Sequence, residues 1–191
     1  MKKFFSKIRI NAPVILSFAG ICLVVYVLDI LTAGVSTSQF FCVYRSSFAN
    51  PMTYIRCITH VFGHANLEHL MSNMLLFLVL GAGLEEKYGG KNIALMMLLT
   101  AFFSGLANIL FFPDVATLGA SGIVFAMILL SSITETEEGK IPLTFLLVAA
   151  LYIGREIYDG IFAADNVSQF SHIIGGIMGS LFGFAVRRKR V

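Results

Sequence analysis

Long apolar segments recur along this chain and restrict its fold more than any other feature. We mark six of them, at residues 13–31, 67–84, 93–112, 121–133, 141–158 and 170–186. A helix needs about 20 mostly apolar residues to cross the hydrocarbon core of a bilayer, so each segment is a candidate membrane span. The segments predict an all-α membrane protein, a bundle of six transmembrane helices.

Composition agrees with this class. The chain has 191 residues, of which 57% are hydrophobic and 13% charged, and its mean hydropathy is +0.83. A soluble domain of this size is far more polar. Six spans with short connections account for most of the length, so we expect one transmembrane domain over residues 1–191, with basic tails at 1–12 and 187–191.

Basic residues crowd the two ends of the chain. They are Lys2, Lys3, Lys7 and Arg9 at one end, and Arg187, Arg188, Lys189 and Arg190 at the other. An even number of spans puts both ends on one side, and the positive-inside rule makes that side cytoplasmic. We therefore predict a multi-pass protein of the inner (plasma) membrane with both termini cytoplasmic, and we interpret the clusters as membrane flanks rather than a nucleic-acid site.

The segment 33–63 is then external, and it is too apolar for a loose linker, so we expect it to pack on the bundle. It contains Cys42 and Cys57, and whether they form a disulfide is left open.

Polar side chains inside hydrocarbon are costly and usually mark function. Asn73 follows His69 by four residues in the second segment, so both lie on one helix face. Ser121 begins the fourth segment within Gly-Ala-Ser-Gly, and His172 lies one turn into the sixth. Under the predicted topology His64, Ser121 and His172 lie in the outer half of the membrane, where one cavity open to the outside would join all three.

A serine beside a histidine is the requirement of nucleophilic catalysis, because a serine hydroxyl is a weak nucleophile until a base takes its proton. A helix N-terminus at Ser121 would also favour the oxyanion of an acyl-transfer reaction. Gly175, Gly179 and Gly183 form a smooth stripe on the sixth segment, which predicts close packing against the fourth and brings His172 to Ser121. The sixth segment has no acidic residue near His172, so we expect a dyad rather than a triad.

Three motifs in order resemble those of the rhomboid family of intramembrane serine proteases. They are His64, His69 and Asn73 in His-x4-His-x3-Asn, Gly119, Ser121 and Gly122 in Gly-x-Ser-Gly, and His172, Gly175 and Gly179 in His-x2-Gly-x3-Gly. The resemblance extends over all six segments. It implies a serine endopeptidase that cleaves transmembrane segments of single-pass membrane proteins within the lipid bilayer.

The resemblance also implies roles. Ser121 would be the nucleophile and His172 the general base, while His64, Asn73 and the backbone N–H of Ser121 would stabilise the oxyanion. Gly119, Gly122, Gly175, Gly179 and His69 would support the site. Arg56 and Glu85 match structural residues of the family. Two positions depart from the family pattern. Ile55 stands where many relatives have Trp, and Phe125 stands where some have Tyr. Phe125 could still stack on His172, but it offers no hydroxyl for a hydrogen bond.

Other interpretations remain beside these. Taken alone, Ser121 is also typical of a small residue at a helix-packing contact. His69 is also typical of a buried structural histidine that donates to a backbone carbonyl, and His60 of a residue at the membrane interface. A metal site is disfavoured because the chain lacks His-Glu-x-x-His and zinc-type cysteine spacing, so we expect no metal and no cofactor. The alternative function is that of a non-catalytic member of the family that binds transmembrane segments. A transporter is disfavoured, because the sequence has neither paired broken helices nor charges paired across a midplane site.

Overall fold

The computed structural model describes residues 10–112, 114–133, 140–162 and 167–186. They form eight α-helices and one short 3-10 helix at His60–Phe62. The helices are α1 Pro13–Leu31, α2 Val35–Phe40, α3 Pro51–Thr59, α4 Leu67–Tyr88, α5 Gly90–Phe111, α6 Ser121–Ile133, α7 Leu143–Phe162 and α8 Val167–Ala185. The basic tails fall mainly outside the described residues.

Apolar helices occupy all six predicted segments, which confirms the all-α membrane class. By length and composition, α1, α4 and α5 are sufficient to cross a membrane, and Ser121–Ile133 and Leu143–Gly154 are shorter apolar helices. The number of crossings therefore stays a prediction. Only Gly89 separates α4 from α5, and its φ of 84° lies in the left-handed region that glycine adopts without strain.

The segment between α1 and α4 is folded and packs on the bundle. A Cβ added to Gly105 of α5 would lie 2.6 Å from Cys57 Cα, so α3 contacts α5 backbone to backbone. Arg56 is buried, donates from Nε to the Gln39 carbonyl at 2.8 Å, and lies 4.4 Å from the centre of the Tyr44 ring. Arg56 thus joins distant parts of this segment, the structural role predicted for it.

Both cysteines of this segment are free thiols. Cys42 and Cys57 are buried, and burial raises the pKa of each. The disulfide that the sequence left open is not formed.

A buried carboxylate fixes the first helix. Ala12 makes no side-chain cap at the start of α1, where the first backbone N–H groups have no partner within the helix. Glu85 of α4 supplies the acceptors, because its two carboxylate oxygens accept from Val14 N at 3.1 Å and Ile15 N at 3.0 Å. Glu85 is therefore structural, as predicted.

The glycine stripe of α8 packs against α6 as the sequence predicts. A methyl group on Gly175 would overlap the carbonyl oxygen of Gly122, and one on Gly179 would overlap that of Ala126. Gly183 faces side chains instead, with Ile133 Cδ1 at 3.0 Å from an added Cβ. Two helix backbones thus meet directly beside the residues that carry the candidate chemistry.

Candidate active site

A cavity of about 400 Å³ lies between α4, α5, α6 and α8. Ser121 and His172 both line it, together with Asn73 and His69. The cavity therefore collects side chains from three of the segments that the sequence selected.

Ser121 is the first residue of α6, so its backbone N–H is among those that lack a helical acceptor. Gly119, two residues earlier, has φ +122°, and its N–H donates to the His60 carbonyl at 3.0 Å. Thr117 pairs with Val43 in a small antiparallel bridge. These bonds fix the approach to Ser121, and the partial positive charge of the helix N-terminus points to the side where an oxyanion would form.

The side chain of Asn108 on α5 forms hydrogen bonds to both sides of that bridge. Its side-chain nitrogen donates to the Val115 carbonyl at 3.0 Å and to the Val43 carbonyl at 3.4 Å, and its oxygen accepts from the Thr117 hydroxyl at 2.7 Å. One buried amide thus joins the segment after α2 to the segment before Ser121.

His172 enters the cavity from α8. Its ring centroid lies 4.2 Å from that of Phe125, which lies 4.4 Å from the ring of Tyr152 on α7. Phe125 thus contacts the imidazole despite lacking a hydroxyl. The two helices touch here, because a Cβ on Gly122, next to Ser121, would lie 3.2 Å from the carbonyl oxygen of Ser171, next to His172. Neighbours of the two candidate catalytic residues are therefore in contact.

Asn73 and His69 come from the first turns of α4. Asn66 caps this helix by accepting from His69 N at 2.8 Å, and the Asn73 amide donates to the His69 carbonyl at 2.9 Å. An amide nitrogen carries two hydrogens, so one donor of Asn73 remains for a ligand. A Cβ added to Gly119 would lie 2.9 Å from His69 Nε2, which places the His69 imidazole against the residues that precede Ser121.

His64 lies in a different place from the one that the sequence predicted. It is 1% exposed and does not line the cavity, and its ring packs edge-on against His69 with the centroids 5.1 Å apart. Its Nδ1 lies 3.2 Å from the Phe62 carbonyl, whereas its Nε2 has no hydrogen-bond partner among the described residues. Burial, with a contribution from His69, lowers the pKa of His64 to about 4. His64 precedes α4, so it does not share the helix face on which His69 and Asn73 reach the cavity.

His60 is also not where it was expected. It is 2% exposed rather than interfacial, lines the cavity, and its Nδ1 lies 3.1 Å from the Arg56 carbonyl. Burial lowers the pKa of His60 to about 4, so it is neutral at physiological pH.

Polar residues of α5 complete the cavity, and the sequence interpretation missed them. Thr100 and Ser104 both line it, and the Ser104 hydroxyl is buried with no partner in the part of the chain that the structure describes. The signal was present, since Thr100, Ser104 and Asn108 recur every four residues within an apolar segment. A polar stripe of this spacing predicts a face turned away from lipid.

The lining of the cavity carries no charged side chain over the described ranges. In the same ranges, no three His, Cys, Asp or Glu side chains converge as metal ligands would. A neutral site with a serine, a histidine and several N–H donors is suited to a reaction in which negative charge appears transiently on a carbonyl oxygen.

Comparison with known proteins gives a consistent result. A family profile described as "Rhomboid domain" matches residues 51–189. The chain is 27% identical over 182 residues to "Rhomboid protease GlpG" of Serratia proteamaculans (strain 568), covering 93% of this chain and 64% of the relative. It is 30% identical over 158 residues to "Rhomboid-related protein 2" of Mus musculus, covering 72% and 52%. The chain thus spans between half and two thirds of the length of these curated relatives.

Proposed function

Because the chain belongs to the rhomboid family, we propose that it is an intramembrane serine endopeptidase that cleaves transmembrane segments of membrane proteins. One observation carries the proposal: Ser121, at the start of α6, and His172, on α8, line one cavity within a bundle of apolar helices. The close contact between Gly122 and the Ser171 carbonyl supports a direct approach of the two side chains.

In the proposed reaction the Ser121 hydroxyl attacks the carbonyl carbon of the scissile peptide bond while His172 accepts its proton. The tetrahedral intermediate collapses with cleavage of the C–N bond, and His172 returns the proton to the leaving amine. Water, deprotonated by His172, then attacks the acyl-enzyme and restores the Ser121 hydroxyl. The sequence of steps needs no cofactor.

We assign oxyanion stabilisation to the Ser121 backbone N–H, the Asn73 amide and His69, with His69 in place of the predicted His64. Asn73 and His69 line the cavity from one face of α4, whereas His64 is enclosed and contacts His69 only from the side. Each preorganised donor lowers the barrier by about 3 kcal/mol, because it is already oriented before charge appears.

The proposed substrate is a single-pass membrane protein whose spanning segment enters from the lipid and unwinds locally at the cavity. A helix hides its carbonyl groups in i→i−4 hydrogen bonds, so unwinding has to precede attack. The proposed location is the inner membrane with both termini cytoplasmic and the cavity open to the outside, which rests on the basic clusters at the chain ends.

The first experiment measures cleavage of a single-pass substrate in liposomes by wild type, Ser121→Ala and His172→Ala. Ser132→Ala is the matched control, because it removes a hydroxyl from the same helix that donates to the Leu129 carbonyl at 2.7 Å and does not line the cavity. We expect cleavage to be lost in the first two variants and retained in the control. Cleavage that survives Ser121→Ala contradicts the mechanism, and a folded wild type that cleaves none of several substrates favours a protein that binds transmembrane segments without catalysis.

A second experiment separates the two histidines. His69→Ala and Asn73→Ala should each reduce kcat about 100-fold, the usual result of losing one oxyanion donor. His64→Ala should lower thermal stability and leave kcat much closer to wild type at a temperature where the variant is folded. The reverse pattern would return the oxyanion role to His64.

A further inference from the structure

A second cavity, of about 420 Å³, lies on another face of the bundle between α1 and α5. Pro13, Ser17 and Ile21 line it from α1 at a spacing of four residues, and Ala94 and Leu98 line it from α5. The walls are apolar except for the Ser17 hydroxyl. This groove has no role in the proposed reaction.

The groove faces hydrocarbon. Both of its walls belong to helices that are long and apolar enough to cross a membrane. Ile21 is 45% exposed and Leu98 46% exposed on the two sides of its opening, so its occupant comes from the bilayer rather than from water.

One end of the groove is fixed beside the Gly89 turn. Glu85, one turn before Gly89, binds the start of α1, and a Cβ added to Gly90 would lie 3.0 Å from both Glu85 Oε1 and Val14 Cγ2. The amino end of α1 and the start of α5 therefore meet at one end of the bundle. Phe62 and Val61 of the 3-10 helix also line the groove.

A positive charge stands at the Gly89 end. Lys91 is exposed on the first turn of α5, and residues 91, 94 and 98 follow the spacing of three and four that defines one helix face. Ala94 and Leu98 line the groove, so helix periodicity puts Lys91 on the same face of α5, one turn before Ala94 and at the Gly89 end of the groove, which we call its mouth. The carboxylate of Glu85 is turned to the backbone of α1 and buried, so it does not present its charge to this mouth.

The far wall of the groove is shared with the candidate active site. Val61, Ala101 and Ile123 line both cavities, and all three are nearly fully buried. An occupant of the groove therefore contacts the outer side of a wall whose inner side lines the serine and histidine cavity.

We propose that this groove binds one acyl chain of an anionic phospholipid, whose phosphate is held near Lys91. An apolar channel that begins at a cation and continues into the membrane matches a lipid with a negative headgroup and a hydrocarbon tail. A second copy of the chain fits less well, because a packed helix face would leave the Lys91 charge without an anion.

The test uses tryptophan fluorescence, because the chain contains no tryptophan and a single one is an unambiguous reporter. Leu98→Trp places the reporter in the groove. Leu78→Trp on α4 is the control, because Leu78 lies outside the groove at a similar distance from the Gly89 turn. The two side chains are similarly exposed, Leu78 at 39% and Leu98 at 46%. The purified protein is reconstituted in vesicles that contain brominated phosphatidylglycerol or brominated phosphatidylcholine, which quench a neighbouring indole.

We expect brominated phosphatidylglycerol to quench the Leu98→Trp reporter more strongly than phosphatidylcholine does, and both lipids to quench the control equally. Adding Lys91→Gln should reduce the preference for the anionic lipid about fivefold, since one lysine near an anionic headgroup contributes of that order. Lys87→Gln, at the same end of the bundle, should preserve the preference. Ile21→Trp, on the opposite wall, gives a second reporter if Leu98→Trp does not fold.

Three results would overturn the proposal. Equal quenching of both reporters by both lipids would mean ordinary contact with the bilayer. Absence of quenching at the groove reporters would mean that protein, such as a second copy, fills the groove. A preference that survives Lys91→Gln would remove the assigned headgroup site.

Discussion

The interface between α6 and α8 and the junction between α1 and α5 hold helices together in opposite ways. In α6, eight residues from Gly122 to Ile133 are buried, whereas in the longer α1 only Ile15, Phe18, Cys22 and Val25 are. The first interface brings Ser121 and His172 into one cavity, and the second leaves a groove open to lipid. Close packing is thus found beside the two candidate catalytic side chains, and it is absent along the apolar groove.

The sources of adhesion differ accordingly. Between α6 and α8 the attraction is dispersion between backbones that glycine brings into contact, because water-driven burial contributes little inside a membrane. By contrast, α1 is held at a few points. Glu85 binds its amino end, and Phe18 stacks between Phe77 and Phe62, with ring centroids 4.7 Å and 4.8 Å away.

The largest effect is expected from Gly175→Ala, which directly tests the α6–α8 contact. The new methyl group would overlap the Gly122 carbonyl, so the helices have to separate next to Ser121. We expect thermal unfolding in detergent to show a loss of about 3 kcal/mol, together with a loss of cleavage. Gly154→Ala on α7 is the control, because nothing lies within 4 Å of its added Cβ. A Gly175→Ala protein as stable as wild type would show that this interface is looser than described.

Glu85→Ala should have the next largest effect and tests the point attachment of α1. It leaves Val14 N and Ile15 N without their acceptor in a buried place, so we expect a loss of about 2 kcal/mol in the same unfolding measurement. Glu86→Ala is the matched control, since Glu86 is the exposed neighbour. Equal effects of the two substitutions would contradict the capping role. In the lipid experiment Glu85→Ala should also weaken the phosphatidylglycerol preference, because the mouth of the groove widens.

At neutral pH the smallest effect comes from the segment that contains His60 and His64, whose contribution to stability changes only as the pH falls. Burial lowers the pKa of His60 and of His64 to about 4, while an unfolded histidine titrates near its ordinary value of about 6.5. As the pH falls below about 6.5, the unfolded chain binds protons that the folded chain does not. The free energy of unfolding therefore falls between about pH 6.5 and pH 4. Each histidine contributes at most about 1.4 kcal/mol per pH unit to this loss. Below about pH 4 this contribution is constant.

Chemical unfolding in detergent at pH 7.5, 6.5, 5.5 and 4.5 measures that slope. His64→Gln keeps a polar side chain of similar size and removes one titrating group, so its slope should be shallower than that of wild type. A slope unchanged by His64→Gln would show that other groups control acid stability.

Individual residues show how far the sequence was informative. The positions of Ser121, His172, Asn73 and the glycine stripe followed from local pattern, because helix periodicity and apolar length are properties of consecutive residues. The polar stripe of Thr100, Ser104 and Asn108 had the same kind of signal and was overlooked. His60, His64 and the two cysteines had no such signal, since they lie in a segment of short helices and turns whose side-chain directions do not follow one period.

The sequence by itself determined the helical membrane class, the order of the apolar helices and the helix faces that carry the candidate serine and histidine. Tertiary structure alone decided that His69 rather than His64 lines the cavity, that His60 is enclosed, that Cys42 and Cys57 stay apart, and that a groove separates α1 from α5. The physical reason is that periodicity fixes which residues share a face of one helix, whereas burial and contact depend on how the backbones of different helices approach each other.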